Sequence, residues 1–271
     1  IPGSNMKKII GHVISNRGRV RENNEDNYLL GRCFNAESLD ESEAHFTQEA
    51  GLWICAGVFD GMGGEAGGEI ASNIVSRVFQ ENTMSLDDLD REEISRVIEK
   101  IFVMANQAVV EERKNHNTCG TTGTVLVTDG NRFRIFHRGD SRVYVMRDRK
   151  LYVLSKDHTL AQLKLDVGIY HSAEEIPERE NHQLTEFIGM EYESEEVPFE
   201  SGWIEWKEND RILLCSDGLY DMCTSEMILK CLAGNESVEE TAHRLFKKAM
   251  EFGGKDNITV LILQITDNKI A

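Results

Sequence analysis

Four motifs place carboxylates where chemistry could occur. "RENNED" puts Glu25 and Asp26 just before a strand-like run, and "VFDG" puts Asp60 at the end of another. "LLCSDG" puts Asp217 at a third strand end, and "GKDNITVLIL" puts Asp256 at the start of the last one. One aspartate in such a place is ordinarily a turn former or a helix cap. Four at the mouths of apolar strands converge if the strands are neighbours, and converged carboxylates repel one another unless protonated or metallated. Hard oxygen ligands suit Mg²⁺ or Mn²⁺. An aspartate shared by two such ions about 3.5–4 Å apart makes a two-metal hydrolytic site. Five of the eight residues after Asp60 are glycine ("GMGGEAGG"), which lets the backbone turn tightly and come close to its surroundings. A glycine-rich nucleotide loop would end in Gly-Lys-Ser/Thr, and this one does not.

The elements that must position these residues are mostly strands. "IIGHVIS", "NYLLG", "LWICAGVFD", "TTGTVLVT", "RFRIFHRGDS", "RVYVMRD", "KLYVLS", "RILLCSD" and "NITVLILQI" are β-branched or aromatic-rich and bounded by turn residues. The short gaps "GNR" and "RDRK" predict antiparallel hairpins. Helical periodicity appears in Ile70, Ile74, Val75, Val78 and Phe79, then in Ile94, Val97, Ile98, Ile101, Phe102, Ala105 and Val109. A third helix is expected from about Ser237 to Phe252. Strands and helices in segregated runs predict an α+β fold, with antiparallel sheets packed together and covered by helices. Residues 160–189 have little period and many charges, which reads as a mobile flap.

The chain has 271 residues, 40% of them apolar and 28% charged, as in an ordinary globular protein. Ile1–Asn5 reads as an appended remnant ahead of Met6, and 6–271 as a single domain. There is no apolar run of about 18 residues and no leader-like segment, so the expectation is a cytoplasmic protein with no membrane partner. A net charge of −17 opposes nucleic-acid binding, whereas phosphate chemistry on so acidic a chain would require local cations. The six cysteines form no Cys-x-x-Cys pair and read as reduced thiols rather than a disulfide framework or zinc site.

In order, "RENNED", "VFDGMGG", "GTTGTVLV", "HRGDSRVYV", "LSKDHTLAQ", "LLCSDGLYDM" and "GKDNITVLIL" strongly resemble the metal-dependent Ser/Thr protein phosphatases of type 2C, most closely the bacterial branch. The resemblance runs from about Gly11 to Ile265. It implies two central antiparallel sheets flanked by helices in an α-β-β-α sandwich. It also implies two Mn²⁺ or Mg²⁺ ions and a third, loosely held one. Asp60 matches the carboxylate that bridges the two catalytic ions, and Gly61 the residue that lends its backbone carbonyl to one of them. Asp217 and Asp256 match the remaining direct ligands, and Glu25 matches an acid acting through water, with Asp26 beside it as a weaker candidate. Asp140 in "GDSR" matches a ligand of the third ion, and Arg21 matches the arginine that grips the substrate phosphate. The implied activity is hydrolysis of phosphoserine and phosphothreonine on proteins, opposing a Ser/Thr kinase, by a monomer.

Met62 stands where animal members carry a histidine assigned as general acid, which leaves the acid open. His158 matches a position that supports the flap, and His12, His45, His116, His137, His171, His182 and His243 read as surface or core residues. No cysteine sits in a Cys-x₅-Arg phosphate loop, so no covalent phosphoenzyme is expected. An inactive scaffold of the same family is the alternative, but it would show lost metal ligands, and every matched carboxylate is present.

Overall fold

The computed structural model describes residues 7–191 and 197–267, so the expected remnant at 1–5 lies outside the described residues. The strands are β1 (Lys7–Asn16), β2 (Asp26–Leu30), β3 (Glu41–Glu49), β4 (Ile54–Met62), β5 (Gly120–Thr121), β6 (Gly123–Thr128) and β7 (Arg132–Arg138). They continue with β8 (Arg142–Arg147), β9 (Lys150–Val153), β10 (Phe199–Glu200), β11 (Ile204–Glu205), β12 (Arg211–Cys215) and β13 (Ile258–Asp267). The helices are α1 (Gly67–Asn82), α2 (Arg91–Glu112), α3 (Leu160–Asp166), α4 (Glu178–Asn181), α5 (Asp217–Tyr220), α6 (Ser225–Leu232) and α7 (Val238–Glu251).

One sheet has the order β3-β1-β13-β12-β8-β9 and the other β10-β7-β6-β4-β2, with β11 on β7 and β5 on β4. Strand pairing is antiparallel throughout. Ile9, Val13, Tyr28, Val58, Leu126, Val143, Leu214 and Leu261 fill the space between the sheets. On the outer face of the second sheet, Phe59, Val125 and Phe136 meet Val75 and Phe79 of α1 and Ile98 and Phe102 of α2. On the outer face of the first, Leu213, Val260 and Ile262 meet Ile228 of α6 and Leu245 of α7. Each such side chain taken out of water contributes roughly 1.5–3 kcal/mol. The layering is helix, sheet, sheet, helix, as the resemblance implies.

Local chemistry sets the ends of these elements. Asp90 and Glu93 form a capping box at the start of α2, and Ser237 and Glu240 form one at the start of α7. The "RDRK" hairpin turns through Asp148 and Arg149, both at positive φ (52° and 60°), which matches the twist of β8 and β9. The six cysteines are all free, and five of them are buried. No helix among the described residues is long and apolar enough to cross a membrane.

Several elements differ from the sequence expectation, among them the short strands β10 and β11 and the single turn α5. β3, "ESEAHFTQE", carries no apolar alternation because it is an edge strand with no fully buried residue. α6 is only 8 residues long, too short to establish a period. The stretch read as an aperiodic, mobile flap carries α3, a 3₁₀ turn at Ala173–Glu175 and α4. Thr159 caps α3 by accepting from the Gln162 amide. Glu180, 4% exposed, takes Lys164 Nζ at 2.7 Å and the Tyr170 hydroxyl at 2.9 Å. The charges that concealed this segment are the ones that fold it. His158 ties it to the body, exchanging backbone bonds with Gly139 and Thr185 and accepting at Nδ1 from the Gly139 amide.

Candidate metal centre

The seam between the two sheets brings the acidic motifs together. Asp26 and Asp60 are direct cross-strand partners on β2 and β4, so their side chains share a face. Asp26 Oδ2 then reaches into the other sheet, accepting from Ser216 Oγ and Thr259 Oγ1, each at 2.7 Å. Asn257, which follows Asp256, holds the loop that carries Arg21 and Glu25. Its Nδ2 donates to the carbonyls of Arg17 and Asn23, and its Oδ1 accepts from the Glu25 amide at 2.9 Å.

A cleft of about 270 Å³ results, lined by Arg21, Glu25, Asp60, Gly61, Asp140, Asp217 and Asp256, with Met62 and His182. All the expected site residues except Asp26 face it. Oxygens of Asp60, Asp140 and Asp217 lie within 4.8 Å of one another. Arg21 Nε sits 3.3 Å from Asp256 Oδ1. Gly61 could not be any other residue, since a Cβ there would lie 2.0 Å from the Gly68 carbonyl oxygen and 2.6 Å from that of Glu25. The turn into α1 differs from expectation. Apart from Gly63, the left-handed positions fall on Glu65 (φ 52°) and Ala66 (φ 67°), whereas Gly61 and Gly68 serve close approach.

Electrostatically, the cluster is strained without cations. Burial pushes Asp60 and Asp140 well above the usual carboxylate range, and neighbouring aspartates add to the rise. Burial also lifts Asp26 to about 7, against the bonds from Thr259 and Ser216 and with added repulsion from Asp256 and Asp217. Asp256 and Glu25 rise for the same reason, with Arg21 opposing. Asp217 goes the other way: burial would raise it, but His182, Asp60 and Arg21 together outweigh that. Asp26 Oδ1 and Asp217 Oδ1 are buried without a hydrogen-bond partner among the described residues. An orphaned Asp217 oxygen in a cleft lined by several carboxylates fits hard divalent cations.

Several site residues escaped the sequence reading. His182 is not a bystander, since its Nδ1 lies 3.6 Å from Asp217 and 3.8 Å from Asp221. It sits in the charged flap, with no motif to mark it. The Tyr220 hydroxyl donates to the Asp140 carbonyl at 2.6 Å, and Arg142 lies over the Tyr220 ring while pairing with Asp157. Next to the cleft, a groove of about 690 Å³ runs between Arg21 and Asp256 on one side and the flap residues Thr159, Ile176 and His182 on the other.

The chain and its fold have known relatives. A family model described as protein phosphatase 2C matches residues 37–257. The serine/threonine protein phosphatase PstP of Mycobacterium tuberculosis is 34% identical over 256 residues, covering 93% of this chain, which spans only 44% of that relative's length. The serine/threonine phosphatase stp of Listeria monocytogenes is 30% identical over 92% of this chain and 93% of its own. A crystal structure of the mycobacterial PstP superposes with a TM-score of 0.76 at 32% identity, covering 94% of this chain and 98% of that one. The PstP catalytic domain in complex with two manganese ions gives a TM-score of 0.75 at 31% identity, covering 96% of this chain and 100% of that one. Matched by a family model over residues 37–257 and 34% identical to a relative across 93% of its own length, this chain belongs to the protein phosphatase 2C family.

Proposed function

We propose that the chain hydrolyses phosphoserine and phosphothreonine monoesters on proteins at this cleft, with divalent ions held by its carboxylates. The observation that carries the reading is the convergence of Asp60, Asp140 and Asp217, within 4.8 Å, in a cleft shared with Arg21. Asp60 would serve both catalytic ions, with the Gly61 carbonyl, Asp217 and Asp256 completing their protein ligands and Glu25 acting through water. Asp140 with Asp217 would hold a third. Asp26 supports from behind, its Oδ2 committed to Ser216 and Thr259. When bound, Mn²⁺ or Mg²⁺ supplies Lewis acidity and a water acidic enough to serve as nucleophile near neutral pH.

The protein's own part is to position and to exclude. Arg21 touches Asp256 through Nε, which leaves both Nη groups for a phosphate fork. The groove beside the flap offers the substrate polypeptide a place to lie. The substrates are products of Ser/Thr kinases in the cytoplasm, and the chain acts as a monomer. A phosphopeptide panel assayed with and without Mn²⁺ tests the activity. Hydrolysis that does not depend on the ion, or none on any phosphopeptide, would overturn it.

Two outcomes are expected at the rim. Arg21→Ala should raise KM for an aryl phosphate more than it lowers kcat, because the guanidinium meets a dianion present in both ground and transition states. A large kcat loss at unchanged KM would instead give Arg21 a transition-state role. Replacing "SAEEIPEREN" (172–181) with a short Gly/Ser linker should lower activity on phosphoproteins more than on aryl phosphate. Only the protein substrate meets the groove that this segment borders. Equal losses on both would mean that the flap supports the carboxylates.

A further inference from the structure

A second cluster of metal-ligating side chains lies on the outer face of the first sheet and shares no residue with the carboxylate cleft. In the β1–β3 ladder, His12 is opposite His45 and Ile14 is opposite Glu43, so His12, His45 and Glu43 project from one face. Ile10 and Ile14, on the same face of β1, join the core under α7. On α7, Glu239 and His243 are one turn apart and so share a face. Donor atoms of His12, Glu43, Glu239 and His243 all lie within 4.8 Å of one another. Glu43 Oε1 already meets His12 Nε2 and His243 Nε2, each at 2.5 Å. His12 is buried at 3% exposure, and its other nitrogen, Nδ1, is 3.0 Å from His45 Nδ1.

We propose that this cluster is a structural zinc site, with His12 Nε2, His243 Nε2, Glu43 and Glu239 as ligands. Two imidazoles select Zn²⁺ over Mg²⁺, and two carboxylates neutralise the ion's charge. Ligand atoms around a tetrahedral Zn²⁺ lie about 3.3 Å apart, given Zn–N and Zn–O bonds near 2.0–2.1 Å. The two Glu43–imidazole contacts, at 2.5 Å, would have to open to that spacing around an ion, and the two donors on α7 are on the surface and free to adjust. With Nε2 on the ion, His12 carries its proton on Nδ1 and donates it to His45, which fixes the ring. Four protein ligands leave no open position, so the ion is structural. It would clasp the edge strand β3 to α7.

The test uses the intact chain, stripped with EDTA and dialysed against Zn²⁺ in excess Mg²⁺, which keeps the oxygen cleft occupied. Wild type and Asp217→Asn should each retain one equivalent of Zn²⁺, and Co²⁺ in its place should give the strong visible absorption of a tetrahedral ion. His45→Phe should weaken Zn²⁺ binding about 10–100-fold, and His243→Ala at least as much. Mn²⁺-dependent hydrolysis of aryl phosphate by His243→Ala should match wild type, which separates this site from the proposed catalytic one. His45 and His243 are exposed, and a melt in EDTA checks that each variant folds. Zn²⁺ retained by His243→Ala but lost in Asp217→Asn would place the ion in the cleft and overturn the proposal. So would a wild type that retains none, since the cluster would then be a hydrogen-bonded clasp only.

Discussion

Asp60→Asn is expected to remove nearly all Mn²⁺-dependent hydrolysis of an aryl phosphate while leaving the fold intact. The residue is held in place by backbone as well as by charge: its amide donates to Thr122 Oγ1 at 2.9 Å, and its carbonyl accepts from the Thr122 amide. Asparagine keeps that frame and the side-chain volume, so the change falls on one negative charge at the centre of the cluster. If that charge serves both ions, its loss removes several kcal/mol of transition-state stabilisation, on the order of a 10³-fold fall in rate. Turnover like that of wild type at saturating Mn²⁺ would show that Asp60 is not the shared ligand.

The second large effect is on stability and its dependence on pH. Asp26, Asp60 and Asp140 have folded-state pKa values raised by burial and by neighbouring aspartates, so between about pH 4 and 7 these groups bind more protons in the folded, ion-free chain than in the unfolded one. Stability then falls as pH rises through that window. Asp217, held low, and His137 and His158, lowered by burial to about 3 and 4, oppose the trend, whereas Asp221, raised by burial to about 7, and His182, raised to about 9 by Asp217, reinforce it. In EDTA the melting temperature should therefore drop from about pH 4 to 7. Mn²⁺ binds the deprotonated cluster, so its stabilisation should grow over the same range. At 100 times its Kd an ion that ignores the unfolded chain adds about 2.7 kcal/mol, a rise of roughly 5–10 °C for a domain of this size. Ca²⁺ should stabilise as well but support catalysis poorly, because its coordination is looser. A melt that is the same in EDTA, Mn²⁺ and Ca²⁺, or a full Mn²⁺ shift in Asp60→Asn and Asp217→Asn, would mean that these carboxylates hold no ion.

The carboxylates were legible in the sequence because each stands where an apolar strand begins or ends, and the fold brings those ends to one seam. Their partners were not. Ser216, Thr259 and Asn257 matter through bonds to residues 190 to 240 positions away, which no local pattern reveals. His182 was hidden among flap charges, and the edge strand β3 was hidden by its polarity. His12 and His243 were read as unrelated because they are far apart in the chain, although α7 packs over β1. In α1 the period was legible but its centre was shifted. Ala71, Val75 and Phe79 are its fully buried apolar side chains, with Ile70, Ile74 and Val78 at the margin of the packed face.

The strand order has a consequence for how the protein is made. β13, the last strand, lies between β1 and β12 in the middle of its sheet, and it brings Thr259 to Asp26. While the chain emerges from the ribosome, β1 has only the edge strand β3 beside it, and the seam has no far wall. Asp256 and the Asn257 clamp on the Arg21 loop arrive together with that strand. Contacts spanning so much sequence form late and slowly. A nascent or C-terminally shortened chain therefore lacks a complete cleft, which forms only when the final strand is inserted.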